Sequence, residues 1–218
     1  MEVGIVGAGN IGGGIARQFA AAGHTVLVSF ARDPSRLEML AGDIGGQTVT
    51  PQRAALCEVV VLSVPWDVVD MALAATGSLS GRIVVDTTNQ FSRKGSVDLR
   101  GRTGARFNAD RMPGARYTKS FNTLTAGFQA EASRRRGDER VVQWIAGDDV
   151  SAKETVAQLI DGAGFVPIDL GGIDACQVME APRRKGAVYG EEYRHADAES
   201  VLQAVQDGTP VPPPPKYT

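Results

Sequence analysis

The chain has 218 residues, 43% of them apolar, and a formal net charge of −2. That length holds one full α/β domain with a modest appendage, not two large domains. The near-neutral balance implies no nucleic acid and no membrane surface as a bulk electrostatic partner. Cys57 and Cys176 stand alone, without metal-ligand spacing or a disulfide framework, which fits two buried thiols in a reducing compartment and no metal site.

The opening residues read as an apolar strand running straight into G-x-G-x-x-G at Gly7, Gly9 and Gly12, the fingerprint of a dinucleotide-binding βαβ unit. Gly7 serves the tight turn out of the strand, Gly9 the approach of backbone to a pyrophosphate, and Gly12 the packing of the next helix on the sheet. Gly9, Asn10 and Ile11 then offer N–H groups to the phosphates at a helix N-terminus. No leader or cleavage-like site precedes the first strand, so a cytoplasmic chain is expected.

An alanine-rich helix is predicted from Ile15 to Ala22, a break at Gly23-His24, a second strand from Thr25 to Ser29 and a helix from Pro34 to Leu40. Val59 to Val64 is a continuous apolar run of the length of a strand buried on both faces. Pro65 ends it, Trp66 to Ala75 is amphipathic, and Arg82 to Asp86 is another buried strand leading to the polar loop Thr87–Gln90. Further strands are predicted at Tyr117–Phe121, Val141–Ala146 and Phe165–Ile168, with a helix from Val150 to Ile160. The sum is a Rossmann-type, doubly wound, mostly parallel sheet over residues 1–170.

Arg93 to Arg116 carries seven Arg or Lys residues and reads as a long solvated connection plus a short helix. From Gly171 to Thr218 the chain reads as a small helix and an extended tail, with Pro212 to Pro215 unable to continue a helix or central strand. Such a tail is expected to wrap a partner subunit or to be mobile.

In NAD-binding versions of the motif an acidic side chain about 20 residues on receives the ribose 2′-hydroxyl. Here the second strand ends Ser29-Phe30-Ala31-Arg32, and Asp33 is placed to cap the helix ahead of Ser35. A hydroxyl at Ser29 and a guanidinium at Arg32 suit a 2′-phosphate, so NADP(H) is the expected cofactor. The carboxyl ends of later strands carry Ser63, Val64, Pro65 and Trp66, then Asn89, then Lys119 and Asn122. Ser63 and Val64 are expected beside the adenine and diphosphate, with Pro65 and Trp66 shaping the cleft. Asn89 and Asn122 either orient a carboxamide or substrate or satisfy loop backbone. Lys119 either neutralises or protonates a substrate or pairs with a carboxylate on a neighbouring loop. His24 reads as capping or packing and His195 lies in the tail, while Tyr189 and Tyr193 are candidate proton donors. That scarcity of acid–base groups suits hydride passing directly between two bound redox cofactors, which needs orientation more than proton transfer.

G-A-G-N-I-G from Gly7, G-H-x-V from Gly23, V-P-W from Val64, D-x-T-N from Asp86 and K-x-F-N-T from Lys119 together resemble the NADP-dependent oxidoreductases acting on the 8-hydroxy-5-deazaflavin coenzyme F420. The module is also similar to the cytosolic domain of transmembrane metalloreductases. The resemblance implies a Rossmann domain with a small C-terminal helical piece, a homodimer, and hydride exchange between NADPH and a deazaflavin bound over the nicotinamide. Ser29 and Arg32 would take the 2′-phosphate, although Ala31 stands where the family often has Ser. The polyanionic tail of that coenzyme would meet basic surface at 134–136 or 183–185. Two other readings stay open: an NADPH-dependent reductase of a small imine or carbonyl, with Lys119, Tyr189 or Tyr193 as proton donor, and a non-catalytic NADP-sensing module whose tail contacts a partner. Exposed Val188 and Tyr189 would favour a dimer.

Overall fold

The computed structural model describes residues 1–92 and 95–217. Arg93 and Lys94, at the start of the predicted basic connection, and Thr218 lie outside the described residues. In chain order the elements are β1 (Glu2–Val6), α1 (Asn10–Ala21), β2 (Thr25–Ser29), α2 (Pro34–Ile44), β3 (Gln47–Thr48), α3 (Pro51–Ala54), β4 (Val59–Leu62), α4 (Val69–Thr76) and β5 (Ile83–Asp86). They continue with the pair β6 (Phe91–Ser92) and β7 (Gly95–Ser96), then α5 (Gly104–Asp110), β8 (Arg116–Lys119), α6 (Ala126–Ala132), β9 (Val142–Ile145), α7 (Val150–Gly162), β10 (Val166–Asp169), α8 (Cys176–Met179) and α9 (His195–Gln206). No helix among the described residues is long and apolar enough to cross a membrane.

The main sheet has six strands in the order β3-β2-β1-β4-β5-β8, all parallel. Its central strands are the Val- and Ile-rich runs, buried at every position of β4 and β5, as strands covered on both faces must be. Alternate side chains feed two cores, one on each face. Val3, Ile5, Val59 and Val61 meet α1, α2 and α7. Val6, Val60, Leu62 and Val84 belong to one core with residues of α3, α4, α5, α8 and α9. Each such fully buried Val or Leu contributes about 1.5–3 kcal/mol.

Local signals place most boundaries. Asp33 caps α2 through Ser35 N at 3.0 Å, with Pro34 in the first turn, as its position predicts. α1 starts earlier than its alanine-rich core suggests, at Asn10, because Gly9 is its cap and the glycine motif itself forms the first turn. The strands predicted at 141–146 and 165–168 do not join the main sheet as neighbours. β9 and β10 form a separate parallel pair, and the end of β9 is tied to β8 through the antiparallel bridge between Lys119 and Ala146. The run has the reverse direction at that edge, so the parallel ladder ends there.

The C-terminal segment differs from its expectation. His195–Gln206 is a 12-residue helix, buried along Ala198, Val201 and Ala204. The proline-rich end lies against its own chain. Tyr193 Oη donates to Pro212 O at 2.6 Å, Val211 is buried, and Tyr217 Oη meets Asp197 while Arg194 stacks on the Tyr217 ring. Val188 is fully buried and contributes no exposed surface toward a dimer.

Candidate functional site

Beyond the carboxyl ends of β1, β2 and β4 lies a cleft of about 800 Å³. Gly7, Gly9 and Asn10 form one wall, Ser63, Val64 and Pro65 a second, and Arg32 and Arg36 a third. Gly7 has φ +107°, and a Cβ there would stand 2.2 Å from Ser63 O; a Cβ on Gly12 would stand 2.0 Å from Gly7 O. The turn and the seat of α1 on the sheet thus require both glycines. Gly9 has open space around its Cα, so its missing side chain serves whatever enters the cleft.

α2, α3, α5, α6 and α7 each begin under a side-chain oxygen, from Asp33, Thr50, Thr103, Thr125 and Asp149. α1, at the cleft, begins without one. The first-turn N–H groups of Asn10, Ile11 and Gly12 have no carbonyl partner within the helix, and the positive end of its dipole faces the cleft. The side chain of Ile11 packs toward the core, so its contribution to the cleft is backbone. The guanidinium groups of Arg32 and Arg36 are exposed and make no hydrogen bond or ion pair with the described residues. This donor set suits a dinucleotide diphosphate and a further phosphate.

Three expected cleft residues are placed otherwise. Ser29 is fully buried and its hydroxyl donates to Ile5 O at 3.0 Å, because the strand end is covered before the chain turns out. Trp66 is buried under Arg111 and beside Phe107, 5.8 Å between ring centroids, and the cleft is lined instead by Val68 and Met71 from the following turns. Asn89 satisfies loop structure: Nδ2 donates to Asn122 O at 2.8 Å, and Oδ1 accepts from Asn122 Nδ2 and Ala181 N. Arg36 was not singled out from the sequence. Its signal was a second arginine in the first turn of the helix that Asp33 caps. Phe30, also at the cleft, takes a left-handed φ of +57°, which carries the chain sharply away from β2.

At the ends of β5 and β8 a closed ionic cluster forms. Lys119 has no exposed surface; its ammonium donates to Thr88 O at 2.8 Å and lies 3.5 Å from Asp86 and 3.8 Å from Glu180. Burial alone would lower the Lys119 pKa, but the two carboxylates outweigh it and the pKa is raised. Asp86 also accepts from Tyr117 Oη at 2.5 Å, Asn108 Nδ2 at 2.8 Å and Thr88 N at 2.8 Å. Burial and then the Asp86 charge push the Tyr117 phenol well up. Glu180 accepts from the N–H groups of Gly104 and Ala105, both at 2.7 Å, and so caps α5 from the far end of the sequence. Lys119 is therefore paired with carboxylates inside the protein and has no surface toward a substrate.

Tyr193 is likewise enclosed: its ring packs edge-on against Trp144 at 5.4 Å, its hydroxyl is held by Pro212 O, and burial pushes its pKa up to about 12. Tyr189 is half-buried, with its pKa raised by burial, and its hydroxyl makes no hydrogen bond with the described residues. His24 packs edge-on against Phe19 and meets the N-terminal ammonium. The basic run 183–185 is exposed; within it Arg183 pairs with Glu191 and Arg184 donates to Glu180 O. Cys57 and Cys176 are buried free thiols.

Comparison with known proteins agrees with this architecture. Residues 2–90 match the family described as NADP oxidoreductase, coenzyme F420-dependent. The F420-dependent NADP reductase of Methanothermobacter thermautotrophicus is 26% identical, over 83% of this chain and 85% of that protein. Metalloreductase STEAP3 of Rattus norvegicus is 28% identical over 83% of this chain, and the chain spans only 36% of that protein's length. The crystal structure of the hypothetical protein SMa0349 from Sinorhizobium meliloti superposes with a TM-score of 0.79 at 30% identity, covering 89% of this chain and 95% of that one.

Proposed function

We propose that this chain, whose residues 2–90 match the family of NADP oxidoreductases described as coenzyme F420-dependent, exchanges a hydride between NADP(H) and a second ligand, the deazaflavin coenzyme F420. The observation that carries this reading is the uncapped N-terminus of α1 sharing one cleft with two unpaired guanidinium groups. When bound, NADPH would supply a hydride and the oxidised deazaflavin would take it up with one proton. The N–H groups of Gly9, Asn10 and Ile11 hold the diphosphate. Arg32 and Arg36 take the 2′-phosphate, Arg36 in the place first expected of Ser29. Ser63, Val64 and Pro65 wall the cleft and hold the dinucleotide across the sheet ends.

Asn89 and Asn122 act at one remove. With Gln90 they bind Met179 O, Ala181 N and Ala181 O, and so clamp the 179–181 segment against the loops after β5 and β8. Reduction of an imine or carbonyl would need a proton donor at the cleft; Lys119 and Tyr193 are enclosed, and Tyr189 is not among the residues that line it. Hydride exchange between two bound redox cofactors makes no such demand on the protein, and a homodimer belongs to the same reading. The test is absorbance of the purified chain with oxidised deazaflavin and either NADPH or NADH. Matched loss of both chromophores with NADPH alone supports the reading. No change, with NADPH binding still seen by calorimetry, removes the deazaflavin and leaves the cofactor cleft.

A further inference from the structure

A second concavity, of about 770 Å³, shares no lining residue with the dinucleotide cleft. One wall is the α1 face formed by Gly14, Arg17, Gln18 and Ala21, whose spacing puts them on one side of the helix. Ala21 lies about 18 Å along the axis from the cap at Gly9. The other walls are the link 133–140 after α6 and the C-terminal turn of α7, where glycine and alanine leave the floor open.

Four arginines line this groove, Arg17, Arg134, Arg136 and Arg140, against a single acid, Asp161. Arg140 is engaged locally: it pairs with Asp161 at 2.6 Å and donates to Gly164 O and Phe165 O, where it offsets the negative end of α7. Arg17 pairs with Asp43 at 3.0 Å. Neither of the other two forms an ion pair among the described residues. The Arg134 guanidinium makes no hydrogen bond with them, although its charge helps to lower the pKa of Glu131, and the Arg136 guanidinium donates to the carbonyls of Ser133 and Arg135. Two guanidinium groups without an ion pair among the described residues thus line one groove on a chain of net charge −2. In the same wall Gln18 Nε2 donates to Gln129 O at 3.3 Å, while Oε1 is buried without a partner.

We propose that this groove binds a small oligoanion, carrying two or more phosphate or carboxylate groups, at a site separate from the cofactor cleft. Arg134 and Arg136 supply forked donors to the anionic oxygens, with Arg17 at the rim. The test titrates inorganic pyrophosphate, and separately citrate, into the full-length chain by calorimetry at fixed ionic strength with excess NADPH present. The same titrations are run on the Arg134→Ala/Arg136→Ala variant, whose changes fall on exposed side chains. The expected result is one saturable site that weakens at least about tenfold in the variant, with NADPH affinity unchanged within about twofold. Saturation by pyrophosphate alone assigns phosphate chemistry, by citrate alone carboxylate chemistry, and by both a general oligoanion site. Absence of saturation with either probe, or equal affinity in wild type and variant, overturns the proposal. The comparison isolates the groove whether or not the cleft is filled.

Discussion

Replacing Lys119 by methionine separates a structural lysine from a catalytic one. The ammonium sits 3.5 Å from Asp86 and 3.8 Å from Glu180 with no exposed surface. At an effective dielectric constant of about 20, each contact is a gross attraction of about 4–5 kcal/mol, opposed by the cost of taking the charges out of water. Lys119→Met keeps the bulk but leaves two buried carboxylates without their cation and Thr88 O without its donor. Breaking one side of a buried ion pair typically costs about 3–5 kcal/mol. For a urea slope of about 2 kcal/mol per molar, the unfolding midpoint should fall by roughly 2 M. In a cycle with Glu180→Gln the two changes should couple by at least about 1 kcal/mol, because they share the cluster. Turnover per folded molecule, measured well below the new midpoint, should stay within a few-fold, whereas loss of a general acid would lower it by about 100-fold or more. A midpoint shift under about 0.5 M, or a hundredfold loss of turnover in fully folded protein, would refute the assignment.

Three other outcomes are expected. Arg32→Ala/Arg36→Ala should weaken NADPH by roughly 10- to 100-fold and leave NADH nearly unchanged, since charge-assisted contacts to a phosphate are lost only where that phosphate exists; equal loss for both cofactors in calorimetry would contradict it. Gly9→Ala should melt like the wild type yet bind the dinucleotide poorly, because its Cβ meets open space in the protein, whereas Gly12→Ala should lower the melting temperature, because its Cβ would strike Gly7 O. Alkaline stability follows from the buried cluster: Tyr117 and Lys119 both have raised pKa values, so the folded chain holds protons that the unfolded chain releases from pH about 10 upward. Their contribution is complete below that range and is lost as pH rises through it. Urea midpoints taken from pH 8 to 11 should fall steeply at the top and fall less in Tyr117→Phe.

What the sequence determined by itself was local. Val and Ile runs of strand length, a glycine at each sterically required position of the first turn, Asp33 before Pro34, and alternation of strand and helix all act between near neighbours, and they were legible as a Rossmann fold with a dinucleotide cleft. The exceptions are equally physical. Ser29 and Trp66 stand next to the cleft in sequence, but their side chains turn inward, and only packing decides which of two adjacent residues faces solvent. Arg36 enters the cleft because α2 folds back over the end of β2, a matter of helix direction. The C-terminal helix was hidden by a weak apolar stripe beside a proline-rich end, and it is held by contacts with Val211, Tyr193 and Tyr217 that no local pattern contains. Most of all, Asp86, Lys119 and Glu180 come from three distant parts of the chain. Each alone reads as a surface charge or a candidate acid, and only the tertiary structure, by burying all three together, turns them into a closed ionic cluster that ties Glu180 to the ends of β5 and β8.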